Sequence, residues 1–287
     1  MGDYNVFHHI PWTGAYAIYF FTIGISAALF FFSARSWFAS CSILEPIRKP
    51  AAYVSFVLLV ISGLLLISDL SQPMRFLNTM NPFYMNFNSP LAWGGLNLMS
   101  FGIVSALYVF MMWKGNDALA KKLGVVGAVL ALGLPIYTGF DLTVHQNRPV
   151  WNTPLMPVLF VAMSLVSGAA VAIFLALNNA SVTKHLRTYM FWSAAAVAVM
   201  LIALMGTTAY GGVGAELTFM SLTSGSLSFA FLWVGVILGT IIPIALLLTP
   251  VGTNHVGTLA AAALILVGGF ALRYSILIGG QVVQSYF

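Results

Sequence analysis

Apolar residues run along this chain in long unbroken stretches and do not alternate with polar ones. Eight stretches reach the roughly 20 mostly apolar residues that an α-helix needs to cross a bilayer. They fall at about 12–38, 51–69, 90–113, 123–142, 154–178, 190–211, 228–249 and 256–278. Continuous runs argue against a membrane β-barrel, whose strands alternate between lipid and lumen. The pattern predicts an all-α integral membrane protein with eight transmembrane helices in two four-helix bundles, residues 1–145 and 146–287. An internal echo suggests the two halves. Aligning Pro11 of PWTGAYAIYFFTIGISAALFFF with Pro154 of PLMPVLFVAMSLVSGAAVAIFL sets Ala27 over Ala170 and Phe31 over Phe174. Gly24, Ser26, Ala27, Ser167, Gly168 and Ala169 are small enough to let helices approach closely.

Composition removes the soluble alternative. Of 287 residues 60% are apolar and only 6% charged, against about 25% charged in ordinary soluble domains. The single cysteine, Cys41, can form no disulfide within the chain and cannot hold an iron–sulfur cluster, which takes about four. The N-terminal MGDYNVFHHIPW lacks the basic region of a cleaved signal peptide and the Ser/Thr of a myristoylation motif.

Charge then gives an orientation. An even number of spans puts both termini on one side. The loops facing the other side carry Arg35, Arg48, Lys49, Lys114, Lys121, Lys122, Lys184 and Arg187, against Arg75, Arg148 and Arg273 on the terminal side. Basic residues accumulate in cytoplasmic loops. The termini are therefore expected to face away from the cytoplasm, which in a bacterial inner membrane means the periplasm. At that outer end lie Asp69, Asp141, Glu216, Arg75 and Arg148, with Arg273 deeper in its span. The outer loops are rich in Asn, Pro, Gly and aromatics, which suits a shaped docking surface. Two roles stay open for these six charges: interfacial anchoring, or pairing and partner docking. An Arg inside a span calls for a partner.

The chemistry narrows by exclusion. A haem needs axial histidines inside spans, whereas His8, His9, His145, His185 and His255 all fall in loops or at span edges. No Asp, Glu, Lys or His lies near a predicted midplane, where ion pumps place their relays; only a hydroxyl and amide path through Asn97, Ser100, Thr207, Thr208 and Thr240 remains for protons. What fits is a site for an amphipathic molecule such as a quinone, with apolar walls and donors at both ends of its ring. Asn5, His8, His9 and Trp12 supply polar groups ahead of the first span, and Asn5 and His9 share a helical face if that segment is helical. An imidazole titrates near neutral pH and can take a quinol proton, which gives His9 a catalytic role. Tyr137 sits where a hydroxyl could reach the same cavity. The plainer alternatives are an interfacial histidine and an aromatic-belt tyrosine.

Several stretches together resemble the NrfD-type membrane subunits, which include the polysulfide reductase anchor. They are AIYFFTIGISAALF, SDLSQPMRF with NPFYMNFNSPLAWGG, IYTGFDL, NTPLMPVLFVAMSLVSGAAVAIF and RYSILIGGQ, in family order across the sequence. The resemblance implies eight spans in two bundles, periplasmic termini and menaquinone bound non-covalently near the periplasmic face. It implies neither haem nor iron–sulfur cluster nor metal in this chain. It implies as partners a periplasmic iron–sulfur protein and a catalytic subunit, expected to be a molybdopterin enzyme, with a dimer of such complexes as a family analogy. In the polysulfide reductase branch an Asn, a His one turn later and a Tyr contact the quinone; Asn5, His9 and Tyr137 match, with His8 competing for the His9 role. Two features depart: DLSQP stands where the family often has DLGRP, and no Glu occurs early in span six. A secondary transporter and a passive anchor without a quinone site are the competing readings. The first calls for a polar midplane site, and the second tolerates loss of Asn5, His9 and Tyr137.

Overall fold

The computed structural model describes residues 12–68, 73–81, 83 and 85–282. Among them there is no strand, and eight helical segments are long and apolar enough to span a membrane. They lie in α1 (Gly14–Arg35), α2 (Arg48–Ser68), α3 (Pro90–Trp113), α4 (Asp117–Thr143), α5 (Leu155–Leu175), α6 (Ala180–Ala209), the π-helix Phe229–Ile241 continuing into α8 (Ile242–Leu248), and α9 (His255–Val282), with a shorter helix α7 (Val213–Thr223) after α6. The multi-pass, all-helical expectation holds. The helix starts follow local chemistry: Thr13, Asn116 and Asn179 each accept a backbone N–H of the first turn of α1, α4 and α6, and Pro90 opens α3.

The centre is built on α1, which packs against α2, α4, α5 and α9. Small residues make this possible. A Cβ on Gly24 would collide with Ser164, one on Gly168 with Ala28, and one on Gly139 with the backbone of Pro157. The Gly24–Ser164 and Gly168–Ala28 contacts join α1 to α5, and Gly139–Pro157 joins α4 to α5, so several of the small residues singled out in the sequence form the seam between the halves. Hydroxyls lock α1 to α2: Ser26 Oγ donates to Ser55 O and Ser55 Oγ to Ser26 O, both at 2.7 Å, while Thr22 and Ser62 share a hydrogen bond of 2.7 Å.

Two stretches differ from the sequence expectation. GGVGAELTFMSLTSGS, read as loop, contains α7. This helix starts after Gly212 at φ 97, carries Glu216 in its first turn and buries Ala215, Thr218 and Leu222 on one face. An acid there complements the helix dipole. The seventh span is π-helical over its first 13 residues. Gly239 and Gly268 bring backbones into contact there. Pro243, just beyond, offers no N–H to the turn before it, and a widened helix accommodates both.

Candidate functional site

At the end of the bundle where α1 begins and α4 and α9 finish, aromatic and charged side chains converge. Trp12, just ahead of α1, stacks on Tyr16 with ring centroids 5.0 Å apart and planes 6° from parallel. It also meets the His145 ring edge-on at 5.1 Å and lies against Trp151 at 5.2 Å. Trp151 is fully buried, packs over Gly280 where any Cβ would collide with its indole, and donates Nε1–H to Ile276 O at 2.8 Å. Arg148 is buried beside it, 5.1 Å from the Trp151 ring, and donates to Gly280 O at 2.7 Å. Gln281 donates to Trp12 O at 3.0 Å. Through these bonds the connection after α4 is clamped to the end of α9, and the clamp holds the point at which the N-terminal segment enters.

Beside the clamp, α4 brings Tyr137 and Asp141 one turn apart on one face. The Tyr137 ring lies flat against Gly94 of α3, where a Cβ would overlap it. Asp141 is only 6% exposed and has no ion pair among the described residues. Tyr19 of α1, also buried, completes a group in which Tyr16, Tyr19, Tyr137 and Asp141 are within electrostatic reach of one another. A carboxylate in the last turn of a helix opposes the helix dipole, and burial adds to its cost. Helix stability alone therefore gives no reason for Asp141.

The connecting segment adds a titratable pair. Burial pushes His145 below the usual imidazole range. The Arg148 charge acts in the same direction, while the carbonyls of Leu142 and Asp141 oppose it. His145 is therefore neutral at pH 7, and its Nδ1 has no hydrogen-bond partner among the described residues. Burial likewise lowers Arg148, whose Nε is also unpartnered.

The other predicted residues separate. Arg273 is completely buried inside α9, away from the outer surface. Its Nη1 donates to Gly269 O at 2.9 Å, its Nη2 reaches Ser164 Oγ at 3.5 Å, and its guanidinium lies 5.4 Å from the Phe21 ring. No carboxylate pairs with it among the described residues. Glu216 is exposed on α7. Arg75 belongs to the short 3₁₀ helix Pro73–Met80. Asn5, His8, His9 and Asp69 lie outside the described residues, as does the side chain of Arg75. Structure thus brings Trp12, Tyr137, Asp141 and Arg148 to one end of the bundle, and adds Tyr19, His145 and Trp151. The three additions had weak sequence signals: Tyr16 and Tyr19 are spaced for one helix face, and His145 follows Asp141 by one turn.

The family model described as "Polysulphide reductase, NrfD" matches residues 3–284. Among similar proteins, a membrane-length polysulfide reductase component of Wolinella succinogenes is 28% identical, over 98% of this sequence and 97% of its own. The protein NrfD of Escherichia coli is 29% identical over 96% of each sequence. A selenate reductase component of Mesobacillus selenatarsenatis is 26% identical over 93% of this sequence and 73% of its own.

Proposed function

This chain belongs to the polysulphide reductase NrfD family, and on that premise we propose that it is the quinol-oxidising membrane subunit of a periplasmic respiratory reductase complex. Electrons pass from menaquinol to an iron–sulfur partner subunit and on to a catalytic subunit, a molybdopterin enzyme in this reading. The relatives support the complex: those from Wolinella and Mesobacillus carry the names of reductase components. The observation that carries the site is the buried Tyr19, Tyr137 and Asp141 group beside Trp12, at the end of the bundle opposite the basic loops.

These residues suit a quinol. Two hydroxyls and a carboxylate sit among aromatic rings, so the pocket offers polar contacts without opening the apolar interior to water. Bound menaquinol supplies the redox chemistry, releasing two electrons and two protons. Tyr137 and Tyr19 orient an oxygen through their hydroxyls. Asp141 takes a proton at its carboxylate, and His9, entering with the N-terminal segment, takes the other. His145 and the Arg148–Trp151 clamp hold Trp12 in place and so fix where that segment starts. Proton release toward the outer face keeps the positive charge on the side of the partner. The outer loops, with Asp69, Arg75 and Glu216, form the surface that the iron–sulfur subunit meets. The protein sits in the bacterial inner membrane with both termini periplasmic, in line with the eight basic residues on the opposite side.

The test is binding of a menaquinol-analogue inhibitor to the purified complex, comparing wild type with His9→Ala, His8→Ala and Tyr137→Phe. Loss in His9→Ala with weakening in Tyr137→Phe supports the reading. Loss in His8→Ala instead moves the contact by one residue. Full binding in all three variants puts the quinone elsewhere. No saturable binding by the wild type leaves the passive anchor or the transporter.

A further inference from the structure

A second polar feature lies at the opposite end of the bundle and takes no part in the chemistry above. His185, Thr188, Tyr189, Trp192 and Ser193 follow the i, i+3, i+4, i+7, i+8 spacing of one face of α6. With Leu165 of α5 they line a groove of about 510 Å3. The face is not covered by the protein, for Trp192 is 67% exposed and Thr188 is exposed. A helix face turned to hydrocarbon is ordinarily apolar, because polar groups there lose their water. The deeper hydroxyls of this stripe are satisfied from within: Ser193 Oγ donates to Tyr189 O at 2.6 Å and Thr188 Oγ1 to Lys184 O at 3.4 Å. His185 is not, since its buried Nε2 has no hydrogen-bond partner among the described residues.

Depth and charge indicate what the groove holds. From His185 to Ser193 the helix rises about 12 Å, close to the roughly 15 Å of one hydrocarbon leaflet. His185 marks the boundary end, five residues into α6, and Leu165 and Ser193 the deep end. The boundary end is cationic. Arg35, the last residue of α1, lies beside Tyr189 and donates Nε–H to Cys41 Sγ, and Lys184 is exposed next to His185. Neither has an ion pair among the described residues. Two cations without carboxylates at the mouth, an imidazole nitrogen without a partner and a leaflet-deep apolar channel match one chemistry.

We propose that the α5–α6 groove is a binding site for one anionic phospholipid of the leaflet on the basic-loop side, its phosphate held by Arg35, Lys184 and His185 and an acyl chain lying along Trp192 and Leu165. A small turn of the imidazole presents Nε2–H to a phosphate oxygen. The site stands apart from the quinol reading and does not depend on it.

Native mass spectrometry of the purified complex, with phosphatidylglycerol or phosphatidylcholine added back after delipidation, reads the site directly. The wild type should retain one phosphatidylglycerol per copy of this subunit and hold phosphatidylcholine about fivefold or more weakly, since each cation near a lipid surface contributes roughly that factor. Arg35→Gln combined with His185→Ala should weaken phosphatidylglycerol retention by about fivefold or more. Leu165→Trp, which fills the deep end without touching the charges, should also lower it, and carries the test if the double variant does not assemble. Equal retention of the two lipids, or unchanged retention in the variants that assemble, overturns the proposal. So does loss of a co-purified quinone in His185→Ala with phosphatidylglycerol retention unaltered, which would make the groove a quinone site.

Discussion

The two ends of the bundle use polar residues in opposite ways. At the basic-loop end, between α1 and α2, the network is closed. Arg48 lies 3.8 Å from the Trp37 ring, donates to Ser36 Oγ at 2.7 Å and Ser36 O at 3.0 Å, and pairs with Glu45 at 3.5 Å. Tyr108 OH meets Ser33 Oγ and accepts from Trp37 Nε1, both at 2.9 Å, and Ser33 Oγ donates to Arg48 O. Each named donor has an acceptor. At the outer end Asp141 has no ion pair among the described residues, and Nδ1 of His145 and Nε of Arg148 have no partner there either. A closed buried network fixes a helix junction. Polar groups buried without complete pairing are costly and persist where something else uses them. The contrast separates scaffold from site within one end-to-end fold.

The most severe test of that contrast is Asp141→Asn. If the carboxylate accepts a proton from quinol, its loss should slow quinol oxidation by about 10²-fold or more, the usual share of a general base. Thermal stability of the purified complex should hold or rise, because the buried charge is gone. A stability loss with an unchanged rate would make Asp141 part of the scaffold. Arg48→Met should behave in the opposite sense. It breaks three polar contacts and a ring contact in a part-buried junction, so we expect a loss of about 2–4 kcal/mol in unfolding free energy with quinol oxidation per folded complex unaltered. A fall in turnover per folded complex would show that the closed end also serves the chemistry.

Tyr137→Phe is milder. It removes one hydroxyl and leaves the ring against Gly94. One hydrogen bond is worth about 1 kcal/mol, so the apparent affinity for a menaquinol analogue should fall about fivefold. An unchanged affinity would return Tyr137 to the aromatic belt.

How far the sequence reached follows the same division. The eight spans were legible because bilayer thickness imposes length and hydropathy on each one separately, and the α1–α5 seam was legible in Gly24 and Gly168 because close approach requires small residues. Helix α7 was not, since its Gly-rich ends resemble a loop and its buried face spans only Ala215, Thr218 and Leu222. The π-helix was not, because it depends on contact between Gly239 and Gly268, far apart in sequence. At the site, Tyr137 and Asp141 were visible as polar residues at a span end. The roles of Trp151 and His145 depend on packing against Trp12, more than 130 residues away in sequence, and Arg148 gave no sign that it would reach Gly280.

The smallest expected effect concerns pH. His145 is held below its ordinary value chiefly by burial, so folding favours its neutral form. For a depressed histidine the full stability is present above the unfolded value of about 6.5 and is lost as pH falls through the folded value. Lowering pH from about 7.5 to about 5.5 should therefore destabilise the wild type more than His145→Gln, by at most about 1 kcal/mol for a half-buried ring. Thermal unfolding of both across that range measures the difference, with Tyr108→Phe as a control whose pH dependence should follow the wild type. Parallel wild-type and His145→Gln curves would mean that the imidazole is solvated and that its contact with Trp12 does not exclude water. The outer end would then be open on the side of His145, and the clamp that positions Trp12 would rest on Arg148 and Trp151 alone.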